Sequence, residues 1–155
     1  VSSAASDVYK RQLDFGAVRT FPQSFVKDYQ AIGDAVVFRQ DPIRLFKALK
    51  SLKIMNDDDT NEDIQAFYEI SKLIAEPYLT SAPYEWGRTN LAQRTAEKVK
   101  KILFEQGIRR PPQELIFLDR KIGGVFTILQ KLDAVFEPRP ILEHYVTRSS
   151  EDSAH

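Results

Sequence analysis

From residue 22 onward, apolar side chains recur every three or four positions, the spacing of one face of an α-helix and not the alternation of a strand. Phe25, Tyr29, Ile32 and Val36 form the first such face. Pro22 marks its start, because a missing N–H is harmless in a helix's first turn, and the spacing predicts a helix over about residues 22–39. Asp41-Pro42 repeats the start signal with a capping carboxylate before proline. Phe46, Leu49 and Leu52 then mark the buried side of a short second helix, which ends at Asn56-Asp57-Asp58-Asp59. Thr60 and Asp63 form a capping-box variant. Behind them Ile64, Phe67, Ser71, Ile74 and Tyr78 line a third helix up to the break at Pro77.

A fourth helix is expected over about residues 90–106, with Leu91, Thr95, Val99 and Ile102 inward and Gly107 placed for a left-handed C-terminal cap. Its cations Arg94, Lys98 and Lys101 share an outward face that reads as solvated, since Glu97 and Glu105 dilute it. Leu115, Leu118, Ile122, Val125, Leu129, Leu132 and Phe136 define a fifth, and Ile116, Phe117, Phe126 and Ile128 add apolar residues off that stripe. A helix apolar on so many sides is expected to be buried nearly all round. Gly123-Gly124 lies within it, each glycine costing ~1 kcal/mol against alanine, with close packing against another backbone as the expected compensation. Asp119, Arg120 and Lys121 should then find partners inside the fold. Between the third and fourth helices, Ser81-Ala82-Pro83-Tyr84-Glu85-Trp86-Gly87 has turn chemistry with two aromatics, a loop pinned onto the core. Beyond Pro138-Arg139-Pro140 a short helix at about 141–145 is expected, then a tail at 147–155 without stable structure. The fold class is all-α, about five helices, with no sheet beyond a strand stub at Leu13.

The head of the chain breaks this pattern. Residues 1–7 are small and polar without a period, and Lys10, Arg11 and Gln12 put charge and amide where a buried strand leading into Leu13 would need apolar groups. Residues 1–12 therefore read as a non-native join of adapter type or a disordered head, and residues 13–146 as the folded domain.

Composition narrows the function classes. Lys plus Arg and Asp plus Glu are both 22, so no global field draws the chain to nucleic acid or an anionic surface. With no cysteine there is no disulfide framework, thiolate metal site or cysteine nucleophile. Apolar runs fall far short of the ~20 residues of a transmembrane segment. His144 and His155 lack a second imidazole at ligand spacing, which argues against zinc. Asp57, Asp59 and Asn61 imitate the start of a calcium loop, but Glu62 and Tyr68 stand where glycine and glutamate are required. No Gly-x-Ser-x-Gly elbow or glycine-rich phosphate loop occurs, so any chemistry centres on Asp14 of Asp14-Phe15-Gly16, the triplet with which protein kinases hold ATP-bound magnesium.

Leu13-Asp14-Phe15-Gly16-Ala17, Phe25-Val26-Lys27-Asp28-Tyr29, Glu76-Pro77-Tyr78 and Phe117-Leu118-Asp119-Arg120-Lys121-Ile122-Gly123-Gly124-Val125-Phe126 occur in this order, and together they resemble the C-terminal half of the UbiB (AarF-type) atypical kinases. The resemblance implies the helical C-lobe remainder of a protein-kinase-like fold. It also implies a parent that binds Mg-ATP, acts as an ATPase or small-molecule kinase, and supports ubiquinone or related isoprenoid-quinone biosynthesis. Asp14 would be the metal ligand, Phe15 its packing neighbour and Gly16 the hinge. Arg120 and Lys121 match a signature and are expected in a structural charge network. The nucleotide loop, phosphate-contacting lysine and catalytic loop would belong to a missing N-terminal kinase lobe, leaving the fragment inactive alone. Lipid or quinone-pathway proteins are the implied partners. The implied setting is bacterial cytoplasm or membrane periphery, or a eukaryotic organelle. The alternative is a free-standing helical interaction module using the exposed face of the fifth helix or the basic face of the fourth.

Overall fold

A computed structural model describes residues 19–106 and 112–151, and these are predominantly helical. Helix α1 (Gln23–Gly33) runs directly into a π-helical turn, Asp34–Arg39, which ends where Gln40 turns left-handed at φ 50°. The wider turn brings the consecutive residues Ala35, Val36 and Val37 all into the interior, which an α-helical repeat does not do. Helix α2 (Pro42–Ser51) starts as its sequence predicts: the Asp41 carboxylate accepts from the Ile43 and Arg44 N–H groups at 2.9 and 3.1 Å. Helix α3 (Asn61–Ile74) carries a complete capping box. Asp63 N–H donates to Thr60 Oγ1 at 3.2 Å, and Thr60 N–H donates to Asp63 Oδ2 at 2.9 Å.

These elements close a first core of Ala35, Val36, Leu45, Leu49, Met55 and Tyr68, with Ile32, Phe46, Ile64 and Phe67 packed against it. A 3-10 turn at Glu76–Tyr78 buries Pro77 and leads to a second core. There the loop expected to pin onto the interior does so: Trp86, 1% exposed, meets Tyr84 edge-on at 5.0 Å between ring centroids, tilts against Phe126 at 5.0 Å and stacks on Phe136 at 6.0 Å. The sequence did not announce that this loop pairs. Strand β1 (Tyr84–Glu85) lies antiparallel to β2 (Val135–Phe136), with Tyr84 opposite Phe136 and Glu85 opposite Val135. The one-turn helix α4 (Trp86–Thr89) follows, then α5 (Leu91–Gln106) and α6 (Gln113–Lys131). Gly87 is obligatory at this junction, because a Cβ there would fall 1.9 Å from Asp133 Oδ1 and 3.2 Å from Asp133 Cα.

Three expectations fail on the C-terminal side. Helix α6 is not buried all round: Phe126 is its one buried residue among those described, Ile122 and Leu129 pack beside it, and Val125 and Leu132 point outward. The period of 3.6 sets Phe126 and not Val125 on the inner face, and among the described residues no element covers Val125, Ile128 and Leu132 on the outer one. Gly123 and Gly124 meet no neighbouring backbone among the described residues, where an added Cβ at either would find nothing within 4 Å. The last helix, α7 (Arg139–Glu151), continues through residues 147–151, which were expected to be unstructured. Leu142 and Val146 pack near Gly33 of α1, and a helix nucleated by such packing adds residues at small cost. Gly107 lies outside the described residues, as do 1–18 and 152–155.

Candidate functional site

Three of the sequence segments singled out above meet in space. Phe21 stacks on Phe25 with centroids 5.2 Å apart and reaches Phe117 of α6 at 6.0 Å, while Phe25 stacks on Tyr29 at 6.1 Å. Tyr29 follows Phe25 by one helical turn, so the same face of α1 carries both rings. Arg19 docks at the start of α6, donating to Glu114 Oε1 at 2.7 Å, with its guanidinium 6.0 Å from the Phe117 centroid. Lys121, one turn beyond Phe117, places its ammonium 5.6 Å from the same ring, so Phe117 is held between two cations.

Deeper in this junction, burial foremost, then the Asp119 carboxylate and the Tyr78 phenol, hold the Tyr29 phenol well above its ordinary value. Burial also raises Tyr78. Asp119 as a whole residue remains exposed, yet burial of its carboxyl pushes it up to about 6. Because water still reaches the residue, this is a partial desolvation and not that of a dry pocket. Tyr29, Tyr78 and Asp119 thus form a cluster in which one carboxyl exchanges its proton near neutrality beside two phenols that stay protonated. Among the described residues no group of three or more His, Asp or Glu side chains could hold a metal ion.

Asp14, Phe15 and Gly16 lie outside the described residues, so the metal-binding reading rests on sequence. Arg120 and Lys121 correct an expectation: both are exposed on α6 and make no ion pair among the described residues, where Lys121 instead lies over the Phe117 ring.

A second polar centre was missed. Arg94, expected on a solvated face, donates from Nη1 and Nη2 to Glu76 at 3.0 and 2.7 Å, and the Tyr84 hydroxyl donates to Glu76 Oε1 at 2.6 Å. Burial alone would raise the Glu76 carboxyl, but these hydrogen bonds and the Arg94 charge outweigh it and hold it below the usual carboxylate range. The same contact with Glu76, after burial, pushes Tyr84 up to about 12. Glu76 thereby ties the 3-10 turn to β1 and α5. No local signal announces a pair 18 residues apart.

In sequence, the chain is similar to mitochondrial proteins described as atypical kinases. The chain is 28% identical to the mitochondrial atypical kinase COQ8B of Rattus norvegicus over 131 residues, which is 84% of this chain and 24% of that protein. COQ8B of Danio rerio is also 28% identical, over 82% of this chain and 20% of its own length. COQ8 of Schizosaccharomyces pombe is 26% identical over 86% of this chain and 22% of its own. No family profile matches the chain. The similarities support the UbiB-type resemblance read from the sequence, and the chain spans between a fifth and a quarter of the length of these relatives. Among the described residues no helix is long and apolar enough to cross a membrane.

Proposed function

We propose that this chain supplies part of the C-lobe of a UbiB-type atypical kinase, an ATP- and magnesium-dependent auxiliary factor in ubiquinone or related isoprenoid-quinone biosynthesis. The observation that carries the reading is the similarity to COQ8 proteins over four-fifths of the chain, joined to the convergence of Phe25–Tyr29, Tyr78 and Phe117–Lys121 at one junction. Asp14 is the proposed metal ligand, with Phe15 and Gly16 setting its loop, five residues before Arg19 reaches α6. When Mg-ATP is bound, the metal offsets phosphate charge. The described residues contribute the frame on which Asp14 is carried.

Phosphoryl transfer depends on positioning and charge stabilisation by several elements together, and these 155 residues hold one proposed metal ligand out of that set. The expected outcome is that the chain alone binds Mg-ATP no better than ~1 mM in titration calorimetry. A longer protein supplying a nucleotide loop, lysine and catalytic loop should bind it tightly, and Asp14→Asn there should weaken metal-dependent turnover. Micromolar binding by the 155-residue chain alone, or indifference of the longer protein to Asp14→Asn, overturns the reading. A second reading, a helical interaction module without catalysis, is favoured by Val125, Ile128 and Leu132 on the outer side of α6, which no described element covers.

A further inference from the structure

The outer side of α6 carries more than scattered apolar residues. On a 3.6-residue repeat, Lys121, Gly124, Val125, Ile128 and Leu132 fall on one stripe opposite the buried Phe126, while Phe117 on the same side is already met by Phe21 and Arg19. Val125, Ile128 and Leu132 are 51, 58 and 70% exposed, far above the core residues of the same helix. The open stripe from Lys121 to Leu132 is about 16 Å long at ~1.5 Å per residue, the contact length of a three-turn helix. Near its N-terminal end Gly123 and Gly124 leave open space, so a second backbone can approach the helix axis closely there. Its borders carry one sign of charge. Arg120, Lys121 and Lys131 are exposed and make no ion pair among the described residues, whereas Glu114, the carboxylate at the start of α6, is occupied by Arg19.

The geometry points to this stripe as a docking seam for an amphipathic helix of another polypeptide, one with an apolar face that seats on Val125, Ile128 and Leu132 at the Gly123–Gly124 gap, and acidic flanks that meet Arg120, Lys121 and Lys131. The apolar strip supplies area, the glycines set the depth of approach, and the cations choose the sign of the partner. A neutral or basic helix would leave three cations facing it without compensation. The inference holds whether or not the chain takes part in nucleotide chemistry.

The test uses the full 155-residue chain and two fluorescent 20-residue helical peptides that share a leucine–alanine face, one flanked by glutamates and one by lysines. The acidic peptide should bind about tenfold or more tightly than the basic one at low salt, and the gap should narrow in 1 M salt. Gly124→Leu, which fills the gap, and Lys121→Glu, which reverses the border, should each weaken the acidic peptide about tenfold. Lys53→Glu, an exposed cation just beyond α2 and not on α6, should leave it unchanged. Helical circular dichroism of the variants checks that the exposed substitutions leave the fold intact. Equal binding of both peptides overturns the inference, as does no binding of either. It is also overturned by a dimer of the chain that Ile128→Asp dissolves, or by stripe-dependent binding to anionic vesicles with no binding of the acidic peptide.

Discussion

Helices α2 and α6 were equally legible as amphipathic segments, yet they meet different fates. In α2, Leu45, Ala48 and Leu49 are all buried, and Leu52 just beyond the helix end is buried with them. In α6, nearly twice as long, Phe126 alone is buried among the described side chains, while four large apolar residues from Ile116 to Leu132 stand exposed. The difference lies in the neighbours and not in the helices. Around α2, helix α1, the π-helical turn and α3 close on three sides, whereas α6 is covered on one side by α4, α5 and the Trp86 cluster. Periodicity tells a helix which residues could be buried, and the number of elements within reach decides which of them are.

The largest expected effect separates the covered side of α6 from its open side. Trp86→Ala removes a side chain that is 1% exposed and touches Tyr84, Phe126 and Phe136, so a loss of about 3–5 kcal/mol in urea unfolding is expected. Ile128→Ala, on the same helix's outer face, should cost less than about 0.5 kcal/mol. Comparable losses for the two would mean that α6 is covered on both sides and would erase the comparison with α2.

The glycines sharpen the same contrast. Because a Cβ at Gly123 or Gly124 meets nothing, alanine at either should stabilise the fold by about 1 kcal/mol through helix propensity alone. A thermal melt showing destabilisation would indicate a backbone packed on that face. The expected gain also runs against the deeper docking that the glycine gap permits, so a more stable variant should be a poorer partner.

Two carboxylates distinguish the closed centre from the junction at α6 by the sign of their pH dependence. Glu76 is held below its ordinary value, so its contribution is present above about pH 5 and is lost as pH falls through the lowered value. Asp119 is raised from 3.8 to about 6, so the folded state holds its proton more tightly than the unfolded one. Its cost is therefore present above about pH 6 and is relieved as pH falls toward 4. Both groups are partly solvated, which limits each to about 1 kcal/mol or less. The acid-side decline of stability from pH 7 to pH 3 should become shallower on Glu76→Gln. Asp119→Asn should instead raise stability near pH 7 with little effect at pH 4. The same sign of change in both variants would contradict the opposed environments.

What the sequence made legible follows the range of the interactions concerned. Asp41 before Pro42 and Thr60 before Asp63 act within one turn, and both caps form as their spacing predicts. The all-α class and the placement of α1 to α3 rest on such local rules and on one strong stripe each. By contrast, the Tyr84–Phe136 pairing joins residues 52 positions apart, and the Arg94–Glu76 pair spans 18, so neither leaves a periodic mark. For α6 the pattern itself misled: apolar residues on several sides suggested burial on several sides, although they record only that the surface is sticky. The cluster of Tyr29, Tyr78 and Asp119 was visible as three separate recurring segments, but its proton chemistry arises from their meeting. Asp14, Phe15 and Gly16 stay a reading of sequence.

The smallest expected effect on stability is also the most direct probe of the open face. Ile128→Ser and Leu132→Ser together exchange two residues, 58 and 70% exposed, for polar ones on a helix whose buried contacts run through Phe126, Ile122 and Leu129. Little apolar area is removed from the folded interior, and serine's lower helix propensity costs a few tenths of a kcal/mol, so unfolding free energy should shift by no more than about 0.5 kcal/mol per site. Hydrophobic-dye fluorescence and light scattering should fall clearly, because contiguous exposed apolar surface is what such dyes and non-specific association use. If α6 instead behaved like α2, the double substitution would unfold the chain and dye binding would rise.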